Sequence, residues 1–219
     1  LGTTSYGDIV KALNEAQAGN VFQEFRDINE LPEDSGRRVL TTGGHFGYLK
    51  IAEGCDKHCT YCIIPSLRGR FRSVPEERLL AQAEYMASQG VKELILVAQE
   101  TTVYGTDLYG KKTLHILLKK LCQIKGIRWI RVLYCYPEEI YDELVQVMKE
   151  EKKICNYLDL PIQHASDRIL KRMGRRTTRK QLEDIIAKLR REIPDIVLRT
   201  SLITGFPGET QEDHEELME

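Results

Sequence analysis

No run of apolar residues in this chain approaches the roughly 18 that a membrane-spanning helix needs, and no basic stretch followed by an apolar one marks a secretory leader. Charge of one sign is not in excess either. Lys and Arg total 32 against 33 Asp and Glu, a formal net charge of −1. A bulk polyelectrolyte role in coating nucleic acid is excluded, while local basic patches stay possible. With 42% apolar and 30% charged residues, the composition is that of a globular chain and not of a disordered or collagen-like one. At roughly 150 residues per domain, 219 residues allow one to two domains and a large core. The first residue is Leu1, not Met, and Glu219 falls inside a helical pattern, so the chain is expected to be a piece of a longer protein.

The six cysteines are unevenly placed. Cys55, Cys59 and Cys62 fall within eight residues; Cys122, Cys135 and Cys155 are scattered. A secreted disulfide framework is usually smaller and denser in cysteine. The clustered three read as metal ligands in a reducing compartment, which implies a cytoplasmic protein. Cys122 reads as helix core, Cys135 and Cys155 as small apolar fillers.

Ile9, Val10, Leu13 and Ala16 give one helix within residues 1–20. Residues 21–46 read as a linker, from the loop chemistry of Leu31-Pro32-Glu33-Asp34-Ser35-Gly36 and of Gly43-Gly44. Strands are then expected at Tyr48–Ala52, Leu94–Ala98, Ile127–Leu133, Tyr157–Leu160 and Ile196–Ile203. They alternate with helices marked by Leu79, Leu80, Ala83 and Met86, by Leu114, Leu117, Leu118 and Leu121, by Ile140, Leu144, Val147 and Met148, and by Leu182, Ile185, Ile186 and Leu189. Ser73-Val74-Pro75-Glu76 reads as a capping box opening the first of these, Pro137 opens the third, and a last helix starts near Thr210. Strands alternating with amphipathic helices mean an α/β fold with a parallel sheet. Five such units fit an open doubly wound sheet or part of a barrel, and periodicity does not decide between them.

The strongest chemical signal is Cys55-Asp56-Lys57-His58-Cys59-Thr60-Tyr61-Cys62, just after the first strand of the alternating part. Soft thiolates suit iron–sulfur clusters or zinc. Three cysteines leave one iron of a cubane without a protein ligand, and an open metal position is where a substrate can bind. Structural zinc with a remote fourth ligand, chance spacing, and His58 as a zinc ligand or a solvated loop residue are the competing readings. A thioredoxin-like role would use only Cys59 and Cys62 and leave Cys55 idle.

The triad, with an aromatic before its third cysteine, resembles the signature of radical S-adenosylmethionine (SAM) enzymes. That resemblance implies a partial, TIM-like (βα) barrel whose three cysteines hold a [4Fe–4S] cluster, with the amino and carboxylate groups of SAM on the fourth iron. Tyr48 to Cys55, Ile63-Ile64-Pro65-Ser66-Leu67-Arg68-Gly69 and Gly205-Phe206-Pro207-Gly208-Glu209-Thr210 resemble the methylthiotransferases within that family. Val97 to Gly105, Tyr134-Cys135-Tyr136-Pro137 and Leu158 to Ser166 look closer to the branch that modifies an aspartate of a small-subunit ribosomal protein (RimO type) than to the branch that modifies tRNA adenosine (MiaB type). The resemblance makes residues 1–20 the end of an N-terminal α/β domain and residues 47–219 a radical SAM core incomplete at its C-terminus. It places a second [4Fe–4S] cluster in the rest of that N-terminal domain, and a small β-domain beyond the core.

On this reading Cys55, Cys59 and Cys62 hold the cluster. Gln99 and Glu100, after the second strand, lie where the family contacts the SAM amino group. Gln163, His164 and Ser166 follow the fourth strand. Arg199, in the fifth, could pair with the SAM carboxylate, because a guanidinium matches a carboxylate bidentately. Tyr61 stands where the family contacts adenine. The glycine-rich turn Gly205–Thr210 lacks both the dinucleotide fingerprint and the phosphate-loop lysine, and Thr210 in it is a candidate N-cap.

Basic residues gather at Arg168, Lys171, Arg172, Arg175, Arg176, Arg179, Lys180, Lys188, Arg190 and Arg191, with Arg68, Arg70 and Arg72 as a second group. Solvated helix faces explain them; contact with RNA phosphates is the functional alternative. The expected activity is methylthiolation at the β-carbon of a ribosomal-protein aspartate, drawing on an electron donor. Methylthiolation of tRNA and a zinc-stabilised RNA-binding module without catalysis are the alternatives.

Overall fold

The computed structural model describes residues 1–31 and 39–219. In chain order the elements are α1 (Ile9–Gln17), β1 (Phe46–Lys50), β2 (Ala52–Glu53), α2 (Ile64–Arg68), β3 (Arg72–Ser73), α3 (Glu76–Ser88), β4 (Glu93–Val97), α4 (Thr106–Tyr109), α5 (Leu114–Cys122), β5 (Trp129–Val132), a 3₁₀ turn (Pro137–Glu139), α6 (Asp142–Glu150), β6 (Ile154–Asp159), α7 (Asp167–Arg172), α8 (Arg179–Glu192), β7 (Val197–Arg199) and α9 (Gln211–Met218). Part of the expected linker, residues 32–38, lies outside the described residues.

Five strands pair in parallel in the order β1-β4-β5-β6-β7. Spatial order follows chain order without reversal. A doubly wound sheet reverses at a switch point, so this is the wall of a (βα) barrel. Alternation sets the two faces of the sheet. Leu49, Leu94, Leu96, Ile130, Val132 and Leu158 are buried in one core with Leu79, Ala83 and Met86 of α3, the leucines of α5, and Leu144, Val147 and Met148 of α6. The intervening Tyr48, Trp129 and Val197 are exposed. Cys122 and Cys135 are buried and Cys155 half-buried, in keeping with filler roles.

The strand expected over Ile196–Ile203 spans only Val197–Arg199, and four further expectations change. The first strand ends at Lys50, and Ala52–Glu53 turns off to pair antiparallel with Arg72–Ser73. The capping box at Ser73 does not form: Pro75 occupies the N-cap of α3 without a side-chain hydrogen bond. Ser73 instead donates its hydroxyl to Asp107 at 2.6 Å and accepts from the Gly105 N–H at 2.9 Å. Pro137 opens only a 3₁₀ turn, and α6 begins at Asp142 because Ile140 has extended backbone angles. The long segment between β6 and α8 holds an additional helix, α7. At Thr210 the box does form: its side chain caps α9 and Asp213 reaches back.

The N-terminal residues rest on the chain that leaves the cysteine cluster. The Thr3 hydroxyl donates to Leu67 O at 2.7 Å, and the Arg70 N–H donates to Asn29 Oδ1 at 3.0 Å. Helix α1 has no buried residue.

Candidate active site

The cysteine cluster lies between β2 and α2, at the C-terminal end of the sheet, where βα barrels carry their chemistry. Gly54 starts it at φ +78°, and a Cβ there would overlap the Arg70 carbonyl. Two sides then hold the loop. On one, the Cys55 N–H donates to Gly69 O at 3.2 Å and the Phe71 N–H donates to Asp56 Oδ1 at 3.0 Å. On the other, the Thr60 N–H donates to Met173 O at 3.0 Å and its hydroxyl to Arg172 O at 3.0 Å. Gly174, at φ +74°, passes so close that a Cβ would lie 2.9 Å from His58 O. Gly54→Ala is therefore expected to displace Cys55. Anaerobically reconstituted protein should hold less than half the iron of wild type; equal iron would remove this role for Gly54.

Cys55, Lys57, Cys59, Glu100, Tyr136 and Glu139 are among the residues lining one cavity of about 270 Å³. Glu100 is 1% exposed. Its Oε1 accepts from the Thr102 N–H at 3.0 Å and from the Thr102 hydroxyl. Its Oε2 is buried with no partner among the described residues. Burial pushes the Glu100 carboxyl up to about 7, against the Thr102 hydrogen bonds and Lys57, which lower it. Burial likewise pushes the Cys55 thiol up to about 11, against the hydrogen bond its sulfur accepts from the Lys57 N–H at 3.4 Å; Glu100 and the other two cysteines raise it further.

The Cys59 Sγ lies 2.6 Å from the Tyr136 hydroxyl. The Arg175 guanidinium sits 4.0 Å from the Tyr136 ring centroid and the Lys57 ammonium 4.9 Å from it. Lys57 also pairs with Glu139, as does Lys112 at 2.8 Å. Burial raises the Tyr136 hydroxyl well above the ordinary tyrosine value, so it stays protonated.

The expected site residues divide. Cys55, Cys59 and Glu100 share the cavity, whereas Cys62 is half-buried and not among its lining residues. Among the described residues no three His, Cys, Asp or Glu side chains converge as a single metal ion requires. A cubane asks for a wider triangle, because each sulfur meets a different corner. His58 is exposed on the loop. Tyr61 is half-exposed, and burial, Cys59 and Arg175 are the main influences on its hydroxyl. Gln99 has a buried Oε1 without a partner among the described residues. Gln163 takes φ +71° and its N–H donates to Ser201 O at 3.0 Å. Ser166 donates its hydroxyl to Asp213 at 2.6 Å, and Arg199 donates to Asp159 Oδ1 at 2.9 Å. Gln163 lies beyond β6 and Arg199 ends β7, both outside the cysteine cavity; Ser166 is the N-cap of α7 and lines a separate pocket with Arg168 and Asp213.

Sequence reasoning missed Tyr136, Glu139 and Arg175. Tyr136 had a signal, since it is a polar aromatic at a strand's C-terminal end before a proline. Arg175 was expected on a solvated or RNA-facing surface; it is instead 6% exposed. Much of the remaining basic run does follow the solvated-face reading. Arg179 and Lys180 pair along α8 with Glu183 and Asp184, and Lys188 pairs with Asp142.

A cysteine loop at the top of a partial parallel barrel, facing a buried acid, defines the class. The chain belongs to the radical SAM superfamily, whose family model matches residues 49–219. Over its whole length it is similar to the ribosomal protein uS12 methylthiotransferase RimO of Lachnoclostridium phytofermentans, with 65% identity over 219 residues. It is similar in the same way to the RimO of Clostridium botulinum strain Eklund 17B, with 54% identity over 220 aligned positions. The chain spans about half the length of these curated relatives, 50% and 49% respectively. Among solved structures, the cobalamin-dependent SAM radical enzyme OxsB matches 98% of this chain and 34% of its own, with a TM-score of 0.65 at 18% identity. The radical SAM methyltransferase TsrM of Kitasatospora setae matches 80% and 33%, with a TM-score of 0.63 at 19% identity. At these identities the two structures speak for the fold alone.

The cofactors of this class are a [4Fe–4S] cluster and SAM, and the residues present fit them. Two thiols and a buried carboxylate share one cavity, and the orphaned Glu100 Oε2 is suited to an ammonium group.

Proposed function

We propose that this chain is the catalytic core of a RimO-type methylthiotransferase, which adds a methylthio group to the β-carbon of an aspartate in a small-subunit ribosomal protein. The observation that carries this reading is similarity over the full chain, at up to 65% identity, to relatives named for that activity. Residues 47–219 are the radical SAM core, residues 21–46 the linker, and residues 1–20 the end of a preceding domain that carries a second [4Fe–4S] cluster. Cys55, Cys59 and Cys62 hold the cluster of the core. Glu100 takes the SAM amino group, with Gln99 beside it, and Tyr61 contacts the adenine. On this reading Gln163, Ser166 and Arg199 complete the SAM contacts once Ser166 and Arg199 leave Asp213 and Asp159, with Arg199 for the carboxylate.

Held by Cys55, Cys59 and Cys62 and by Glu100, the cluster and SAM would supply one-electron reductive chemistry for hydrogen abstraction from the substrate. The chain's own residues bind and confine. Glu100, itself buried, offsets the ammonium charge where an unpaired cation would be costly. Lys57 and Glu139 pair across the mouth of the cysteine loop and hold its shape. The partners are the ribosomal protein or the ribosome, and an electron donor. The setting is the cytoplasm.

Mass spectrometry of ribosomal proteins and tRNA from a deletion strain tests the reading. Loss of the methylthio group from the ribosomal aspartate is expected. A tRNA that loses its methylthio group while the aspartate stays modified would overturn the branch. Reconstituted protein should be brown, with about four irons and four sulfides per chain; colourless protein with one zinc would replace the enzyme by a binding module.

A further inference from the structure

We propose that Tyr136, backed by Arg175, is a positioning residue for Cys59 and that its hydroxyl raises the reduction potential of the cluster bound there. The proposal rests on the cluster reading above and concerns residues that reading leaves without a role.

The backbone fixes Tyr136 tightly. It follows Cys135, whose N–H donates to Asp159 O at 2.8 Å, and it precedes Pro137, which opens the 3₁₀ turn. The phenol oxygen lies 2.6 Å from Cys59 Sγ. A cysteine bound to iron has no proton to give, so in that state the Tyr136 O–H is the donor and the sulfur the acceptor. A hydrogen bond to a ligating sulfur withdraws electron density from the cluster and favours its reduced state.

Two cations strengthen this donor. Arg175 and Lys57 both lie within 5.0 Å of the Tyr136 ring centroid, at 4.0 and 4.9 Å. Each draws density from the ring and makes the phenol a better donor. Arg175 is itself held in place, with Nη2 donating to Pro161 O at 3.2 Å and the Glu138 carboxylate 3.6 Å away. Its Nε is buried with no partner among the described residues. The Arg175 guanidinium, partly offset by Glu138, lies against the Tyr136 ring and adds positive charge behind the donor, which also favours the more negative, reduced cluster. A ring serving only as filler would need neither the hydroxyl nor the cations, and phenylalanine would replace it without electrical effect.

The test is a redox titration of the reconstituted protein, followed by electron paramagnetic resonance, with iron and sulfide measured on every sample. Tyr136→Phe is expected to load fully and to favour reduction about tenfold less at a fixed potential, a shift of about 59 mV to the negative for one electron. A loaded Tyr136→Phe protein with an unmoved or more positive potential would overturn the proposal. If that variant fails to load, 3-fluorotyrosine at position 136 decides, because it keeps the shape and donates more strongly. A positive shift supports the proposal, and no shift overturns it. A wild-type protein that binds no iron defeats the cluster reading and the proposal with it; a loaded wild type beside unmoved variants defeats the proposal alone.

Discussion

In Cys59→Ala, reductive cleavage of SAM should fall more than about 100-fold, beyond the 10–100-fold typical of losing an outer-shell partner. Cys59 is the most enclosed of the three clustered thiols, at 8% exposure. It sits between the Tyr136 hydroxyl and a loop held on both sides by backbone hydrogen bonds. A cubane anchored at two corners is open to loss and oxidation. Bound iron should therefore drop with activity. The fold should survive. The change removes one sulfur at the mouth of a cavity and leaves the Tyr136 hydroxyl without its partner, a cost of about 1–3 kcal/mol. The measurement pairs iron content with 5′-deoxyadenosine formation under dithionite. Full cleavage by the alanine variant would remove Cys59 from the ligand set.

Glu100→Gln should have the next largest effect, and it reads in two ways. Loss of a charge-assisted contact to an ammonium removes about 1.5–3 kcal/mol, so SAM should bind about 10–100-fold more weakly to the loaded protein. The second reading needs no cofactor. Burial pushes the Glu100 carboxyl from an ordinary 4.5 up to about 7 in the folded protein. Between those values the native state holds a proton that the unfolded chain has released. Stability from this group is thus fully present below about 4.5 and is lost as pH rises through about 7. At about 1.4 kcal/mol per pH unit the full loss is about 3 kcal/mol. Glutamine cannot ionise and is spared it. Urea unfolding of the metal-free protein should find the two proteins alike near pH 4 and Glu100→Gln the more stable by up to about 3 kcal/mol near pH 8. Parallel pH profiles would show that the buried oxygen already has a partner. A buried acid kept at such a cost to stability fits the proposed role of Glu100, since functional sites commonly trade against stability.

Much of this site is legible in one dimension. Three cysteines at short spacing need only a loop to face a common centre, so chain connectivity brings Cys55, Cys59 and Cys62 near one another wherever the strands lie. Glu100 was reachable in the same way, because a polar residue just past an apolar run falls at a strand end. The periodicity of Leu79, Ala83 and Met86, or of Leu117, Leu118 and Leu121, likewise marks helix faces before any packing is known. Ser73 shows where local reading fails. Its spacing to Glu76 satisfies a cap, but Asp107, remote in sequence, offers two carboxylate oxygens and takes the hydroxyl.

The sequence by itself determined the alternation of strand and helix and the placing of the cysteine loop and of Glu100 just past strand ends, since each depends on neighbours along the chain. Tertiary structure alone decided three things. It ordered five parallel strands without reversal, making a barrel wall instead of a doubly wound sheet. It buried Arg175 out of a basic run that reads as surface. It set the Tyr136 hydroxyl on Cys59, 77 residues away in the chain. Each of these is a contact between distant segments, and the entropy of closing such loops is repaid only by packing that no local pattern records.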